Sequence, residues 1–483
     1  MSKDYGSYFV KPSVKEAGKR SRDQSEVIRD QIAVSARLFE IAKGRTYHIK
    51  TFGCQANERD TEQIAGILEW IGYTENPDSE TADVVILNTC AIRENAEEKV
   101  FGTIGALKNI KAKNPDFVFG ICGCMVQQES IVERILTKHP HIDLIFGTHN
   151  IHRLGTLLDS AYFNKERVVE VFSKEGEIYE NLPDKRNDTL KAWVNIMFGC
   201  DKFCTYCIVP FTRGKERSRL KEDIIKEVIE LKEKGYKEVT LLGQNVNAYG
   251  QDLPINYKFA DLLNDVAKTG IERIRFMTSH PWNFSKEMIE AIANNPNIMP
   301  HVHLPVQSGD ETVLRRMARR YKVQEYKNLY DAIRNTIPNA AVTTDIIVGF
   351  PGETEEQFQK TLDMVDYCKF DAAFTFIYSQ RPGTPAEKMI DDVPLEVKKE
   401  RFNRLVEKVN THALARNKEF LGKTIKVLVE GTSKKNANVL SGYSDTWKIV
   451  NFKGSKDMIG KVVNVLITNV KTFTLEGEAI GQS

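Results

Sequence analysis

Three closely spaced cysteines offer the clearest chemistry in this sequence. Cys200, Cys204 and Cys207, here called the central triplet, follow the spacing C-x3-C-x2-C directly after a strand-like run at residues 192–197. Three thiolates at this spacing can hold three irons of a cubane 4Fe–4S cluster, while the fourth iron has no protein ligand nearby. A metal with an open position binds substrate or cofactor. The spacing therefore predicts an iron–sulfur site that takes part in a reaction.

Two other uses of closely spaced cysteines fit this sequence less well. A zinc site usually needs two pairs of ligands, and no second Cys or His pair lies within zinc-finger distance of residues 200–207. A disulfide framework is typical of short secreted chains, whereas this chain has 8 cysteines in 483 residues. The iron–sulfur interpretation is therefore preferred.

A second group of cysteines is spread over the first third of the chain. Cys54, Cys90 and Cys124, here called the N-terminal triplet, each follow a strand-like run, at residues 47–52, 82–87 and 117–121. The carboxyl ends of parallel strands share one edge, where ligands bind, so we expect these cysteines to meet there. The alternative is that each is a small buried hydrophobic residue.

The elements around the N-terminal triplet predict an open α/β domain. Helix-like segments follow the three runs at residues 60–71, 95–110 and 127–138, and a further strand is expected within residues 143–150. Strands alternating with helices are typical of a parallel sheet. Residues 1–45 are polar, and residues 25–42 are expected to form one amphipathic helix.

Longer strand–helix units in the middle of the chain predict a partial (β/α)6 barrel. The expected strands are residues 192–197, 238–242, 273–277, 302–306, 342–348 and 372–378. The expected helices include residues 221–234, 259–269, 286–294, 311–318 and 355–367. In such barrels the chemistry lies at the carboxyl ends of the strands, which is where the central triplet follows the first strand.

The last segment, residues 417–483, has a different pattern. Short β-rich runs with glycine-containing turns predict a small five-stranded barrel, with strands at residues 424–430, 438–440, 449–452, 461–469 and 474–479. The segment holds ten lysines against six acidic residues. Basic small β-barrels commonly bind nucleic acid through phosphate charge and aromatic stacking. The lysines fit a plain solvated surface equally well.

Composition indicates an ordinary globular protein and a reducing compartment. Charged residues make up 28% and apolar residues 41%, and a formal net charge of +2 favours no class of partner by itself. No apolar run approaches the roughly 18–20 residues that span a bilayer. The opening MSKDYGSYFVKPSVKEAGKR lacks the apolar region of a secretory signal. Reduced thiols without an export signal predict a cytoplasmic location.

The cysteine motifs resemble those of radical S-adenosylmethionine enzymes. The string GCDKFCTYCIVPFTRG at residues 199–214 is similar to their cluster motif, and TFGCQAN, NTCAIRENAEEK and GCMVQ resemble the amino-terminal domain of the methylthiotransferase branch. The resemblance implies a catalytic 4Fe–4S cluster on the central triplet, whose open iron binds S-adenosylmethionine. It implies a second 4Fe–4S cluster on the N-terminal triplet. Cys122 does not match the family motif and is interpreted as packing.

The same resemblance points to cofactor contacts at other strand ends. The candidates are Tyr206, Gln244, Asn245, Ser279, Gln307 and Gly349. Gln244 and Asn245 resemble the position that holds the amino group of S-adenosylmethionine, and a small residue such as Gly349 lets backbone approach the adenine. Tyr206 lies inside the cysteine motif and is expected against the adenine. Polar residues that only cap the next helix are the alternative for these positions.

The resemblance implies that this chain has five parts. Residues 1–45 are a polar extension, residues 46–155 an amino-terminal domain with the second cluster, and residues 156–190 a linker. Residues 191–416 are a radical S-adenosylmethionine domain, and residues 417–483 are a tRNA-binding, OB-like TRAM barrel. The last part departs from the usual TRAM pattern at Gly442, Tyr443, Ser444 and Trp447, where Arg- and Asn-containing motifs are common. Tyr443 and Trp447 are therefore alternative residues for stacking on bases.

The substrate branch is indicated by residues 304–321, LPVQSGDETVLRRMARRY. This string is most similar to the branch acting on isopentenyladenosine beside the anticodon of tRNA. The branch acting on threonylcarbamoyladenosine usually differs at residues 304–306, and the branch that modifies a ribosomal protein usually has His in place of Ser308. Asp310 departs from the serine typical there, so both stay as alternatives. A non-catalytic RNA-binding redox sensor is disfavoured, since a sensor needs only one cluster.

The resemblance implies that S-adenosylmethionine is used twice. One molecule donates a methyl group to sulfur at the N-terminal triplet, and another yields a 5′-deoxyadenosyl radical at the central triplet. The radical removes hydrogen from adenine C2, which no side-chain base can deprotonate at neutral pH. The implied partners are tRNA, a flavodoxin- or ferredoxin-type reductant and a sulfur or iron–sulfur donor protein. No membrane partner is expected, and the enzyme is expected to be a monomer.

Overall fold

The computed structural model describes residues 24–29, 32–91, 94–164, 167–171 and 176–480. The described chain begins with a two-residue strand, β1 (Val27–Ile28), and a short helix, α1 (Ala36–Ala42). The prediction of a single helix over residues 25–42 is therefore wrong. β1 instead pairs in parallel with Ile178–Tyr179, and Ser35 starts α1 by accepting a hydrogen bond from the Leu38 backbone. Most of the polar extension 1–45 lies outside the described residues.

A parallel sheet follows, with six strands among the described residues. Its strands are β2 (Thr46–Thr51), β3 (Thr74–Glu75), β4 (Val84–Thr89), β5 (Val118–Gly123), β6 (Leu144–Phe146) and β7 (Val168–Glu170). Across the sheet they run in the order β3-β2-β4-β5-β6-β7. The helices between them are α2 (Gln55–Ile71), α3 (Glu94–Lys113), α4 (Glu129–Lys138) and α5 (Leu154–Asn164). Because β7 joins the sheet, the sheet extends into the segment 156–190 that the sequence indicated as a linker.

Alternating side chains of β4 build a core on each face of this sheet. Val84 and Ile86 pack in one buried cluster with residues of α2 and α5, while Val85 and Leu87 pack in another with residues of α3 and α4. A strand exposes successive side chains to opposite faces, so an uninterrupted apolar run is required where both faces are covered. Burial on both faces fixes the strand ends, and with them the positions of Cys90 and Cys124.

The central unit consists of two three-stranded parallel sheets. After β8 (Ile178–Tyr179), its elements include β9 (Lys191–Asn195), β10 (Met197–Phe198), β11 (Arg217–Ser218), β12 (Glu238–Leu242), β13 (Arg273–Phe276), β14 (His301–His303), β15 (Ala341–Val348) and β16 (Ala372–Ile377). The two sheets have the orders β13-β12-β9 and β14-β15-β16. They form the expected partial barrel of six β/α units.

The helices of the central unit alternate with its strands. They are α6 (Val209–Thr212), α7 (Lys221–Glu233), α8 (Phe259–Lys268), α9 (Lys286–Asn294), α10 (Glu311–Arg316), α11 (Val323–Thr336), α12 (Glu355–Cys368) and α13 (Leu395–Lys418). One buried hydrophobic cluster joins both three-stranded sheets to this helical layer. No helix in the described parts of the chain has the length and apolar character needed to cross a membrane.

A closed five-stranded barrel ends the described chain, as the sequence predicted. Its strands are β17 (Thr424–Ser433), β18 (Asn436–Ser444), β19 (Ile449–Lys453), β20 (Val462–Val470) and β21 (Thr474–Ala479). They close in the order β17-β18-β19-β21-β20 around a small apolar core. We call this unit the C-terminal barrel.

Candidate active site at the strand ends

The N-terminal triplet gathers around one buried amide, that of Asn57. The Sγ atoms of Cys54 and Cys124 lie 3.8 and 3.9 Å from Asn57 Oδ1. A hydrogen bond with Cys90 lowers the pKa of the Cys54 thiol to about 5. Three cysteines far apart in sequence therefore meet at the carboxyl edge of the parallel sheet, where ligands bind in such folds.

The backbone around Cys54 is built for close approach. Gly53 has a φ of +143°, and a Cβ added there would stand 2.7 Å from Cys90 Cβ. Only glycine avoids this overlap. The Asn57 amide closes the turn by donating to Thr89 O at 2.9 Å and to Phe52 O at 3.2 Å. Asn57 therefore ties the loop of Cys54 to the strand end that carries Cys90.

An arginine from the central unit completes this cluster of residues. Arg213 Nε donates to Cys124 Sγ at 3.0 Å, and its Nη2 donates to Asn57 Oδ1 at 3.1 Å and to Asp60 Oδ2 at 2.6 Å. Burial raises the pKa of the Cys124 thiol, and the guanidinium opposes that effect. The two units of the fold therefore share a charged, buried contact at the N-terminal triplet.

The central triplet lies in the loop between β10 and α6. Cys207 N donates to Cys204 O at 2.9 Å, and Arg319 Nη1 donates to Cys204 Sγ at 3.6 Å. Phe203, inside the motif, has a φ of +47°, a backbone conformation that non-glycine residues rarely adopt and that is concentrated at functional sites. Gly199 also has a positive φ, and a Cβ there would lie 1.9 Å from Lys215 O.

The donor atoms of both triplets suit iron–sulfur clusters. Within the described ranges, no three His, Cys, Asp or Glu side chains converge on a position for a single metal ion. A cubane cluster does not require this, because each thiolate binds a different iron. Burial raises the pKa of Cys200 and raises that of Cys207 to about 12. A bound metal removes the proton from a coordinating thiol outright, so one buried and two partly buried thiols fit the group.

Two of the candidate cofactor contacts carry an unpaired polar atom. Asn245 Oδ1 and Gln307 Oε1 are buried and lack a hydrogen-bond partner within the described parts of the chain. Gln307 also has a φ of +67°. Buried amide oxygens normally find a donor, so each of these two oxygens could accept a hydrogen bond from an N–H group of a ligand. This arrangement fits the amino group of S-adenosylmethionine.

The other candidates already have partners inside the protein. Gln244 Oε1 accepts from Gly199 N at 2.5 Å, Ser279 Oγ donates to His303 O, and Gly349 N donates to Glu353 Oε2 at 3.2 Å. Tyr206 packs on a buried apolar cluster that contains Phe350. These residues shape the loops at the strand ends, and their contact with the cofactor stays a prediction.

A cavity of about 490 Å³ lies beside the central triplet. Its wall includes Ala91, which follows Cys90, and Cys207, together with Gln307 and Asp345. Most of the further lining residues are apolar or aromatic, and two are polar: Tyr206, Ile208, Val209, Ile347, Phe376, Ile377 and Tyr378, with Ser379 and Arg381. The cavity therefore borders Cys207 of the central triplet and the residue that follows Cys90, and much of its wall is apolar.

The C-terminal barrel docks at the opposite end of the central strands. Arg273 and Arg275 of β13 donate to Ser444 O at 2.9 and 2.7 Å. Trp447 stacks on His301 at a ring distance of 5.3 Å and lies under the Arg275 guanidinium at 4.7 Å. Base stacking by Trp447, the alternative that the sequence suggested, is therefore not favoured, because the ring is already packed between two units.

Charged side chains lock the segment before β9 to both neighbouring units. Glu227 of α7 pairs with Arg186 at 2.6 Å and with Arg219 at 2.7 Å, and Arg219 also pairs with Glu180 at 2.7 Å. Burial opposes ionisation of Glu227, but the surrounding arginines outweigh it and lower its pKa to about 2. Arg186 also pairs with Glu62 of α2 at 3.3 Å, so the network joins this segment to both neighbouring units.

Sequence reasoning did not single out Asn57, Arg213 or Arg319. All three lie inside the cysteine motifs or the string that indicates the substrate branch. Asn57 could have been found in the sequence because it is a polar residue three positions after Cys54. Nothing along the chain links Arg213 to Cys124, because the two are 89 residues apart and meet only through packing.

Three family models match successive parts of the chain. "Uncharacterized protein family UPF0004" matches residues 46–147, "Radical SAM superfamily" matches residues 194–365 and "TRAM domain" matches residues 418–480. They cover all but the last strand of the parallel sheet, most of the partial barrel and the C-terminal barrel.

Curated relatives match over nearly their whole length. A protein of Staphylococcus epidermidis (strain ATCC 35984) is 55% identical over 99% of this chain and 94% of its own. A protein of Bacillus subtilis (strain 168) is 54% identical over 100% and 95%, and one of Malacoplasma penetrans (strain HF-2) is 54% identical over 99% and 97%. Each is named tRNA-2-methylthio-N(6)-dimethylallyladenosine synthase.

A solved structure shares the fold at low sequence identity. The radical S-adenosylmethionine methyltransferase TsrM from Kitasatospora setae, with cobalamin and a 4Fe–4S cluster bound, gives a TM-score of 0.53 at 13% identity. The match covers 71% of this chain and 77% of that chain. This likeness supports the arrangement of an open α/β unit followed by a partial barrel.

Proposed function

The chain belongs to the tRNA-2-methylthio-N(6)-dimethylallyladenosine synthase family, and on that basis we propose how its side chains divide the reaction. It is a radical S-adenosylmethionine enzyme that methylthiolates C2 of N6-isopentenyladenosine beside the anticodon of tRNA. Its cofactors are 4Fe–4S clusters and S-adenosylmethionine. Threonylcarbamoyladenosine and a ribosomal protein, the alternative substrates, have no support in the names of the relatives described above.

The central triplet is the proposed site of radical formation. Cys200, Cys204 and Cys207 would hold three irons, and a cluster bound there supplies the electron that cleaves S-adenosylmethionine. Asn245 Oδ1 and Gln307 Oε1 would accept hydrogen bonds from the amino group of this cofactor, since both oxygens are buried without a partner in the described chain. The remaining candidates, which include Tyr206, Ser279 and Gly349, would position the loops and the adenine.

The N-terminal triplet is the proposed site of sulfur handling. Cys54, Cys90 and Cys124 would hold the second cluster, which presents the sulfur that is methylated and transferred. Asn57 and Arg213 orient the cysteines through the hydrogen bonds described above. Cys122 packs in the apolar core below this edge, next to side chains such as Ile86, and is not among the proposed ligands.

One cavity that borders both units is the observation that carries this division of roles. Its lining includes Cys207 of the central triplet and Ala91, the residue after Cys90. An adenine held there would have C2 within reach of both a radical and a sulfur donor, and holding reactants together removes much of the entropic barrier. The apolar side chains of Ile347 and Phe376 in the same wall would accept the isopentenyl group.

The proposed partners follow from the electron and sulfur balance. A flavodoxin- or ferredoxin-type protein would supply the electron, and a sulfur or iron–sulfur donor protein would replace the sulfur that leaves with the product. The C-terminal barrel would bind tRNA through exposed lysines such as Lys434 and Lys435. The proposal further includes a monomeric enzyme, a cytoplasmic location and three domains, with limits 191–416 and 417–483 for the last two and with the first, 46–155, extended to residue 170 by β7.

Alanine at all of the N-terminal triplet, combined with Cys122→Ala, tests the division of roles. We expect this variant to cleave S-adenosylmethionine to 5′-deoxyadenosine with a strong reductant, because the central triplet is intact. It should place no methylthio group on isopentenylated tRNA, measured by mass spectrometry of nucleosides. Cys368→Ala, a buried cysteine of α12 outside both triplets, is the matched control and should remain active. Methylthiolated product at the control level would refute the assignment.

A further inference from the structure

Arg213 belongs to the central unit, and its side chain contacts Cys124 of the N-terminal triplet. It is 5% exposed, and its Nε–H points at Cys124 Sγ at 3.0 Å. Asp60, its partner at 2.6 Å, is also buried, with 4% of its surface exposed. Burial of a guanidinium is destabilising unless the group is paired with an opposite charge and hydrogen bonded. The ion pair with Asp60 and the hydrogen bond to the Cys124 thiol meet that requirement.

The segment that carries Arg213 touches both cysteine groups. It starts after Cys207 of the central triplet and runs through α6 to Arg213. Ile208, next to Cys207, packs in one small buried cluster with Ala91 and Cys124. A single turn of helix therefore spans the distance between the triplets, with an apolar contact at its start and a charged one at its end.

We propose that Arg213 is a positioning residue that raises the reduction potential of a cluster held by the N-terminal triplet. This inference rests on the proposed function. Hydrogen bonds to cysteine sulfur, net charge and solvent exposure set the potential of an iron–sulfur cluster. A charge-assisted N–H···S bond stabilises the more negative, reduced form more than the oxidised form. The central unit thereby tunes the redox chemistry of the amino-terminal unit.

The electron balance of the methylthiolation explains why a higher reduction potential at this cluster would be useful. Replacing C2–H by C2–SCH3 with a methylthiolate forms a C–S bond, releases one hydrogen atom and leaves one electron. The 5′-deoxyadenosyl radical takes the hydrogen atom and becomes 5′-deoxyadenosine. The remaining electron needs an acceptor, and a 4Fe–4S cluster held by Cys54, Cys90 and Cys124 would supply one. A higher potential at that cluster favours this last transfer whichever bond changes first.

The test uses a chain in which Cys200, Cys204 and Cys207 are all Ala, so that only the N-terminal cluster forms. Redox titration followed by electron paramagnetic resonance gives the potential of that cluster. Arg213→Met is combined with Asp60→Asn, because both charges are then removed and the local net charge stays constant. Asp60→Asn alone, which keeps the bond to Cys124, is the matched control. Arg213→Lys keeps the charge and folding but loses the Nε–H.

We expect the double variant to hold the same iron as its parent and to have a lower potential. At a fixed applied potential its ratio of oxidised to reduced cluster should rise about three- to tenfold, because only the part of a charged hydrogen bond's energy that differs between the two oxidation states shifts the potential. Arg213→Lys should shift in the same direction by less, and Asp60→Asn should not lower the potential. An unchanged potential in the double variant and in Arg213→Lys would overturn the inference alone. A parent chain that binds no cluster would overturn the proposed ligands and this inference together.

Discussion

Asn57→Ala tests whether one amide organises the N-terminal triplet. The side chain is fully buried, donates to Thr89 O and Phe52 O, and accepts from Arg213. A lost neutral hydrogen bond costs about 0.5–1.5 kcal/mol, and one to a charged group about 1.5–3 kcal/mol. A methyl group replaces none of these three bonds. We therefore expect a local destabilisation of about 3–5 kcal/mol at the strand ends.

Hydrogen exchange and iron content measure this effect. About 1.4 kcal/mol corresponds to a factor of ten, so backbone amides of residues 54–60 and 88–91 should exchange roughly a hundredfold to a thousandfold faster. Iron after anaerobic reconstitution should fall from about eight to about four atoms per chain, because only the central cluster remains. Formation of 5′-deoxyadenosine should continue.

Asn417→Ala is the matched control for this experiment. Asn417 is also a buried amide, and it donates to Lys471 O at 2.7 Å and to Thr472 O at 3.0 Å, far from both triplets. It should lose about 1–3 kcal/mol from its two neutral hydrogen bonds at the C-terminal barrel and keep all of its iron. If Asn57→Ala kept full iron and unchanged exchange at residues 54–60, Asn57 would have no organising role.

Three further outcomes are expected. Alanine at the whole central triplet should halve the iron per chain and abolish 5′-deoxyadenosine formation; full iron in that variant would contradict the two-cluster assignment. Charge reversal at the exposed Lys434 and Lys435 should weaken tRNA binding and lower its salt slope by about one for each phosphate that is no longer neutralised, and an unchanged slope would reduce the C-terminal barrel to a structural unit. The pKa of Glu227 falls from its ordinary 4.5 to about 2, so its ion pairs stabilise the fold above pH 4.5 and are lost as pH falls toward 2. Glu227→Gln should remove up to about 3 kcal/mol of that acid-dependent stability in pH-dependent unfolding, and an unaltered acid profile would exclude the effect.

Local features of the fold were accessible from sequence because their causes are local. The strand at residues 238–242 and the helix at residues 286–294 have the predicted limits, since a buried apolar run and a serine N-cap at Ser285 act over a few residues. The spacing of the central triplet is equally local. These patterns fixed the parallel sheet, the partial barrel and the small β-barrel.

Errors arose where pairing with a distant segment decided the structure. The helix expected over residues 25–42 gave way to β1, because residues 27–28 pair with β8 about 150 residues later. The segment 156–190 contains β7, which adds an edge strand to the first sheet. Trp447 packs on His301 of the central unit. Periodicity within a short window carries no information about such partners.

The sequence by itself determined which cysteines could act as ligands and the edge of the sheet where Cys54, Cys90 and Cys124 would meet. Only the tertiary structure decided what surrounds them: the Asn57 amide between Cys54 and Cys124, and the Arg213 guanidinium on Cys124. The physical reason is that strand order and motif spacing follow from short-range sterics and hydrophobic periodicity. A hydrogen bond between residues 89 apart depends on how two separately folded units pack, and that depends on the whole buried surface between them.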